Sequence, residues 1–348
     1  MIAHARAPLR LDLAGGWTDV APYSARAGGA VVNVAIDLYA HVQVRTRQRG
    51  VRLHALDYGE AAAVTARHAG DLRPDGELGL LKAAARRLGP AGRGAGGFEV
   101  LTSSDAPAGS GLGGSGAMGV ALVAAFAALR GERPLAAEIA HRAFELESGD
   151  MGVPGGQQDQ YAAALGGILF LEFDPAVRAT RLTPPPDRLR ELERHLVVCY
   201  TGASRHSAQM HAAVWRRFAA GDRATVRALD GLKACGLAMR DAVASGDLPA
   251  VGEILTRNWA HQRALGGGGG GEGEGMQTEA MRALERAAAA AGAVGWKACG
   301  AGGGGCMVFL ARAGEAFALA EALRQAGSSV LPSSFAAGGV VAWSADER

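Results

Sequence analysis

The sequence carries little net charge and has no long apolar run. Lys and Arg number 36 against 34 Asp and Glu, a formal net charge of +2, which is too small to indicate a nucleic-acid partner. No apolar run reaches the roughly 18 residues of a transmembrane helix, and MIAHARAPLR at the N-terminus lacks the apolar core of a signal peptide. We therefore expect a cytoplasmic protein with a small-molecule substrate and no membrane partner.

Cysteine is also scarce. The four cysteines, Cys199, Cys235, Cys299 and Cys306, form no C-x-x-C pair and lie mostly in apolar surroundings, so we expect them to be reduced and structural. The nine histidines show neither H-E-x-x-H nor a Cys/His zinc spacing, and no zinc site is predicted.

The length predicts more than one domain. With 348 residues, of which 49% are hydrophobic, the chain exceeds what a single core usually holds. Alternating segments such as LRLDLA and HVQVRTR predict a strand-rich start, and mixed strands and helices follow in the second half. The three prolines of TPPPDRLRE at 183–191 favour a boundary there, which predicts domains over 1–183 and 184–348.

Two of the glycine-dense stretches have different contexts. GGGGGGEGEG at 266–275 has no apolar residue and lies between predicted helices, so it indicates a linker. The stretch at 109–119 instead follows the predicted strand GFEVLTS and leads into an apolar helix at 115–129. It predicts either a flexible surface loop or a backbone cradle whose N–H groups and helix N-terminus hold an anion.

Known phosphate cradles narrow these alternatives. GSGLGG at 109–114 satisfies G-x-G-x-x-G, but a dinucleotide fold needs it directly after the strand, with an acidic residue about 20 positions later. Residues 103–108 intervene, and position 134 is proline, so a dinucleotide oxidoreductase is disfavoured. A Walker loop is excluded because no lysine follows Gly114. A serine oxygen at the start of a helix, here Ser115, is suited to a phosphate-bound magnesium ion.

Three stretches resemble the ordered motifs of the GHMP small-molecule kinases. PAGSGLGGSGA at 107–117 resembles the second motif, P-x-G-x-G-L-G-S-S-A-A, from which it departs by glycine at 114 and 116. APLRLDLAGGWTDVAPYSARAGGAVVNVAID at 7–37 resembles the first motif, and KACGAGGGGCMVFL at 297–310 the third. Three motifs in order are far more specific than one.

The resemblance implies an α+β, two-domain GHMP kinase fold, with a ribosomal-protein-like N-terminal α/β domain and a ferredoxin-like C-terminal α+β domain. It also implies ATP and Mg²⁺ as cofactors. Ser115 and Glu147 are the implied metal ligands, with Glu145 as an alternative to Glu147. The implied nucleotide-binding residues are Pro107, Gly109, Gly111, Leu112, Gly113, Gly114, Ser115 and Gly116.

Phosphoryl transfer needs charge neutralisation and a group that orients or deprotonates the attacking hydroxyl. In FELESGDMGVPGGQQDQYAAALGG at 144–167, Asp159 resembles the catalytic aspartate of the family. Arg10 resembles the arginine beside the transferred phosphoryl group. We therefore expect Asp159 to act as the base and Arg10 to stabilise Asp159 or the phosphoryl group.

Three stretches, at 15–37, 155–174 and 200–208, are most similar to the heptose 7-phosphate kinase branch, with fucokinase-type domains next. This implies phosphorylation of C1 of a sugar phosphate. The alternatives are a kinase for another sugar and a non-catalytic sugar-sensing relative. The sequence leaves open whether the protein forms a homodimer. Trp17 is expected either to stack on the sugar or to lie in the core. Arg205 and Ser204 are expected either to bind the substrate phosphate or to be a solvated arginine that follows a helix N-cap serine. The implied substrate-binding residues are Gly16, Trp17, Asp19, Gly156, Gln157, Ser204, Arg205 and Gly302.

Overall fold

The computed structural model of the protein describes residues 1–56, 62–90, 96–153, 155–202, 207–267 and 275–345, apart from the side chains of 207–209. Within these ranges the chain forms two sheets that are covered by helices. The α+β fold predicted from the sequence is confirmed.

The larger sheet has eight strands in the described residues. Its order is β12-β1-β2-β5-β3-β4, and β6 and β7 continue it from another part of β2. The 19-residue β2 makes this branching possible, because 29–34 pair with β6 while 40–47 pair with β5. The strands are β1 Ile2–Ala14, β2 Gly29–Arg47, β3 Val51–Ala55, β4 Ala62–Ala66, β5 Gly97–Ser104, β6 Ile168–Asp174, β7 Ala176–Leu182 and β12 Val341–Ala345.

The smaller sheet is antiparallel, in the order β11-β8-β10-β9. It is accompanied by a second apolar core that contains Trp259 and Phe309. Trp17 and Tyr23, from the segment after β1, belong to this core as well, so the end of β1 is held against both sheets. The strands are β8 Leu196–Tyr200, β9 Ala293–Ala298, β10 Cys306–Ala311 and β11 Ser329–Leu331.

Helix α3 packs against β1 and β2. It is apolar on all sides and buried from Gly116 to Ala127, as expected of a helix enclosed by a core. None of the described helices is long and apolar enough to cross a membrane. The helices are α1 Ala21–Ala27, α2 Gly79–Leu88, α3 Gly114–Leu129, α4 Ala136–Glu145, α5 Gln158–Leu165, α6 Pro186–His195, α7 Ser207–Ala219, α8 Arg223–Ser245, α9 Leu248–Ala264, α10 Glu279–Ala290 and α11 Ala316–Gln325.

The structure adds three features to the sequence predictions. Strand β7 was not predicted, and β12 returns to the larger sheet and pairs with β1 although it lies far beyond position 184. Helix α4 ends at Glu145, where a π-helical turn, Leu146–Asp150, follows. The proline-rich segment does separate β7 from α6, and the division at 183/184 stays a prediction. The four cysteines are free and buried.

Candidate active site

One cleft collects all the predicted catalytic and metal-binding residues and half of the predicted substrate-binding residues. Its walls come from β1 and the segment after it, from the starts of α3 and α5, from the π-helical turn, from α7 and from 299–301. It encloses a volume of about 200 Å³. The predicted residues that line it are Arg10, Gly16, Trp17, Asp19, Ser115, Glu147, Gly156 and Asp159.

Arg10 ties three parts of the cleft together. Its Nε and Nη2 lie 2.8 Å and 2.7 Å from Asp159 Oδ1, and its Nη1 donates to the main-chain oxygens of Gly111 at 2.5 Å and Cys299 at 3.1 Å. Burial is the largest single effect on Arg10 and opposes its charge, but Asp159, Asp12 and Cys299 together outweigh it, so the pKa of Arg10 is raised. A fixed guanidinium in this position can stabilise negative charge at the mouth of the glycine loop.

The glycine loop connects β5 to α3 and is docked by its backbone. Leu112 is fully buried, and its main-chain oxygen accepts a hydrogen bond from the Arg10 N–H at 2.9 Å. Gly111 lies so close to the third glycine loop that a Cβ on it would be 3.1 Å from Gly300 Cα. Gly113 has φ of 77° directly before α3. The loop therefore leads into an N-terminal helix turn in the geometry that suits an anion.

Gly114 and Gly116, the two glycines that depart from the motif, have different surroundings. Beyond its chain neighbours and the backbone of its own helix, a Cβ on Gly114 would meet no described atom within 4 Å, so this face of α3 is open. A Cβ on Gly116 would be 2.5 Å from Asp159 Cβ. Glycine at 116 therefore allows α5 to bring Asp159 against the first turn of α3.

Glu147 lies within hydrogen-bond reach of Ser115. The π-helical turn places Glu147 in the cleft, where Gln160 Nε2 donates to its Oε2 at 2.5 Å. Burial raises the pKa of Glu147 to about 7, which a hydrogen bond from Ser115 opposes. Glu145, the alternative ligand, instead pairs with Arg87 at 2.6 Å. The structure thus brings together the two oxygen groups expected at a metal.

Asp19 lies beside the start of α5. Its Oδ2 accepts the main-chain N–H of Gln158 at 3.2 Å, and a side chain on Gly156 would collide with its carboxylate. Burial, with the nearby Asp159, raises the pKa of Asp19 to about 7. A buried carboxylate of this kind is ready to accept hydrogen bonds from a polyhydroxylated ligand.

This raised pKa predicts that Asp19→Asn stabilises the ligand-free protein at alkaline pH. A pKa that rises from 3.8 to about 7 on folding costs on the order of 4 kcal/mol of unfolding free energy above pH 7, at about 1.4 kcal/mol per pH unit. This cost is absent below about pH 4, where Asp19 is protonated in both the folded and the unfolded state, and it grows as the pH rises toward 7. Urea unfolding should show the variant more stable than the wild type at pH 8, with a smaller difference at pH 5. A difference that is equal at both pH values, as expected for the exposed Asp241→Asn control, would contradict the shift.

Trp17 forms part of the cleft wall and part of the second core. Its φ of 77° is unusual for a residue with a side chain, and its ring stacks on His211 with centroids 4.2 Å apart. Burial lowers the pKa of His211 to about 4, so the imidazole is neutral. Sugar stacking by Trp17 stays a prediction.

Five residues of the cleft wall or its supports were not predicted from the sequence, namely Asp12, Gln158, Gln160, His211 and Lys297. Asp12 could have been found, since it lies two positions after Arg10 in a strand and shares its face. His211 gave no local signal. Of the predicted residues, Gln157 precedes α5 and Gly302 lies beside Met276, and neither is among the cleft-lining residues. Ser204 and Arg205 lie outside the described residues.

Several wall residues carry buried polar atoms that have no hydrogen-bond partner in the described part of the chain. They are Asp12 Oδ1, Trp17 Nε1, Gln158 Oε1, Gln160 Oε1 and His211 Nδ1. Buried polar groups are normally paired. Their concentration in one cleft is therefore typical of a site that a polar ligand and its waters complete.

An aspartate paired with an arginine, a glycine loop at a helix N-terminus and two neighbouring oxygen side chains are the groups that phosphoryl transfer requires. Models of the GHMP kinases N terminal domain and the GHMP kinases C terminal match residues 79–167 and 239–329. The chain belongs to the GHMP kinase family. It is an ATP-dependent kinase whose acceptor is an alcohol group.

Individual relatives cover the chain more fully. A D-glycero-alpha-D-manno-heptose 7-phosphate kinase of Campylobacter jejuni is 31% identical over 97% of this chain and 97% of that protein. An L-fucokinase/L-fucose-1-P guanylyltransferase of Bacteroides fragilis is 28% identical over 89% of this chain, which spans 35% of that protein. The crystal structure of a D-glycero-D-manno-heptose 1-phosphate kinase from Bacteroides thetaiotaomicron has a TM-score of 0.78 and 27% identity, with coverage of 99% and 100%.

Proposed function

We propose that the protein transfers the γ-phosphate of ATP to the C1 hydroxyl of D-glycero-D-manno-heptose 7-phosphate. The product, heptose 1,7-bisphosphate, leads to nucleotide-activated heptose for surface polysaccharide, and the reaction takes place in the cytoplasm. The observation that carries the proposal is the Arg10–Asp159 pair beside the glycine loop. The heptose 7-phosphate kinase that is 31% identical along 97% of both chains supports the choice of sugar.

Asp159 is the proposed base. Its carboxylate orients the attacking hydroxyl and takes its proton, while Arg10 fixes the carboxylate through Oδ1 at 2.7 Å. Arg10 also faces the loop in which the phosphates lie, so its charge favours the transferring group. The N–H groups of 109–116 hold the phosphates through main-chain contacts that need no side chain.

Ser115 and Glu147 fit a magnesium ion. Both are hard oxygen ligands, and they are already joined by a hydrogen bond that an ion would replace. Phosphates and water would supply the remaining ligands. When bound, magnesium neutralises charge on the phosphates.

The sugar is proposed to lie between Asp19, Gly16, Gly156 and Trp17. Trp17 Nε1 is buried without a hydrogen-bond partner in the described residues and is available to bond to the sugar. The 7-phosphate is assigned to Ser204 and Arg205, on sequence grounds alone. A second candidate function, the phosphorylation of another sugar such as fucose or galactose, is favoured by the fucokinase relative.

A substrate panel tests the proposal. The purified protein with Mg-ATP is offered heptose 7-phosphate, heptose 1-phosphate, fucose, galactose and mevalonate, and the product is identified by phosphorus NMR. We expect heptose 7-phosphate to have the highest kcat/KM by at least about tenfold and to give a product with an anomeric phosphate. A preference for heptose 1-phosphate or for an unphosphorylated sugar would refute the proposed substrate.

Arg205→Met should separate a sugar-phosphate kinase from a plain sugar kinase. If its guanidinium binds the 7-phosphate, the charge-assisted bonds depend on that group alone. We therefore expect kcat/KM to fall at least about tenfold for heptose 7-phosphate, about 1.4 kcal/mol, with little change for unphosphorylated heptose.

Arg26→Met is the matched control for Arg205→Met. Arg26 lies in the last turn of α1, which follows the cleft-lining segment after β1. Its guanidinium carbon is 5.7 Å from the centre of the Phe218 ring. An equal loss on both sugars in Arg205→Met would mean that Arg205 does not bind the phosphate. A loss confined to the phosphorylated sugar in Arg26→Met would assign the phosphate to Arg26 instead.

A further inference from the structure

Two buried cations join the larger sheet to the smaller one at the cleft. Lys297, on β9, donates from Nζ to the main-chain oxygen of Asp12 at 2.5 Å, and Nζ lies 3.1 Å from Asp12 Oδ2. In return, Arg10 on β1 donates to the main-chain oxygen of Cys299, just after β9, at 3.1 Å. Each strand therefore carries one cationic side chain that donates a hydrogen bond to a backbone carbonyl in or next to the other strand. We call this reciprocal arrangement the β1–β9 clamp.

The Lys297–Asp12 half of the clamp is almost completely buried. The Lys297 side chain is 0% exposed and that of Asp12 is 6% exposed. Well-packed apolar side chains generally stabilise a core at least as well as a buried ion pair does. Stability alone therefore gives no reason for a charged pair at this position.

The position of Asp12 supplies another reason. Asp12 lies two residues after Arg10 on the same strand, and both line the cleft. Its carboxylate fills the space beside Gly16, where a Cβ would collide with Oδ2. Asp12 thus joins the buried lysine to the wall that carries Arg10.

Charge balance points the same way. Asp12, Asp19, Glu147 and Asp159 bring four carboxylates to the cleft walls, and Arg10 pairs with Asp159 alone among them. Without Lys297, Asp12 would be an uncompensated buried charge near the reacting phosphates, which phosphoryl transfer disfavours.

We propose that Lys297 is a positioning residue for phosphoryl transfer. Acting through Asp12, it holds β1 in register with 299–301, so that Arg10 reaches Asp159, Gly111 and Cys299 at once. The inference rests on the proposed roles of Arg10 and Asp159. It assigns no contact between Lys297 and the substrates.

The test compares Lys297→Met, the double variant Asp12→Asn/Lys297→Met and Lys297→Arg. We expect kcat to fall at least tenfold in the first two, with KM for ATP within about threefold of the wild type, because the loop that holds the phosphates keeps its own anchors. The double variant removes both charges, so it should recover the melting temperature lost in Lys297→Met while kcat stays low. Lys297→Arg, which keeps the charge and the donors, should regain part of kcat.

Lys233→Met is the matched control. Its Nζ also donates to a main-chain oxygen, that of Ala27, but α8 holds it away from the cleft-lining residues. This variant should keep wild-type kcat.

A folded double variant with near wild-type kcat would show that the pair is structural only, and so would failure of all three Lys297 variants to fold. If Lys297→Met alone fails to fold, the double variant and Lys297→Arg decide. Rates are measured with whichever sugar the wild type phosphorylates best. A wrong choice of substrate therefore leaves this comparison intact.

Discussion

Asp159→Ala is expected to lower kcat by at least about a thousandfold while ATP still binds. A positioned general base contributes roughly 10² to 10⁴ to a rate, and the variant would also leave Arg10, which is buried, without its carboxylate partner. In the proposed mechanism Asp159 acts on the acceptor hydroxyl, and it lies on α5, outside the glycine loop. Steady-state kinetics with calorimetric titration of ATP separate the two effects.

Two further variants sharpen this test. Asp159→Asn keeps the shape of the side chain and an oxygen that can accept from Arg10, yet it cannot take a proton, so its kcat should be nearly as low. Asp241→Ala removes a carboxylate that pairs with Arg240 at the surface and should leave kcat unchanged. Near wild-type turnover by folded Asp159→Ala would remove Asp159 from the mechanism.

Local patterns predicted much of the larger sheet and little of its assembly. The alternation in LRLDLA is retained in β1, where Leu9, Leu11 and Leu13 lie in the core while Arg10 and Asp12 reach the cleft. The return of β12 to pair with β1 depends on strands that are more than 300 residues apart. No local signal encodes such a pairing.

The site divides in the same way. Motif resemblance identified Arg10, Asp19, Glu147 and Asp159, which the fold brings into one cleft although 149 residues separate Arg10 from Asp159. The role of Lys297 was not predicted, because the ammonium group of a lysine in a strand is expected to lie in solvent until the opposing strand is known. His211 was missed for the same reason, since its stacking on Trp17 arises only when α7 packs over the segment after β1.

Gly116→Ala should lower kcat by about a hundredfold, although the family motif carries alanine at this position. The new methyl group would lie 2.5 Å from Asp159 Cβ and 3.2 Å from the Asp159 carbonyl carbon and the Gln160 main-chain nitrogen. None of these is the free end of a flexible side chain, so α5 has to move and Asp159 moves with it. A displacement of about 1 Å in a catalytic group can cost 10²-fold in rate.

Gly114→Ala provides the control for Gly116→Ala on the same turn of α3. Because its Cβ would meet no described atom within 4 Å beyond its chain neighbours and its own helix backbone, Gly114→Ala should keep kcat within about threefold and gain slightly in stability, as alanine does over glycine in a helix. Steady-state kinetics and thermal melts of both variants make the comparison. Since both substitutions add one methyl group to the same glycine loop, a general stiffening of the loop would lower kcat equally in both. A loss confined to Gly116→Ala assigns the effect to Asp159, and equal rates in the two variants would contradict the close approach of α5 to α3.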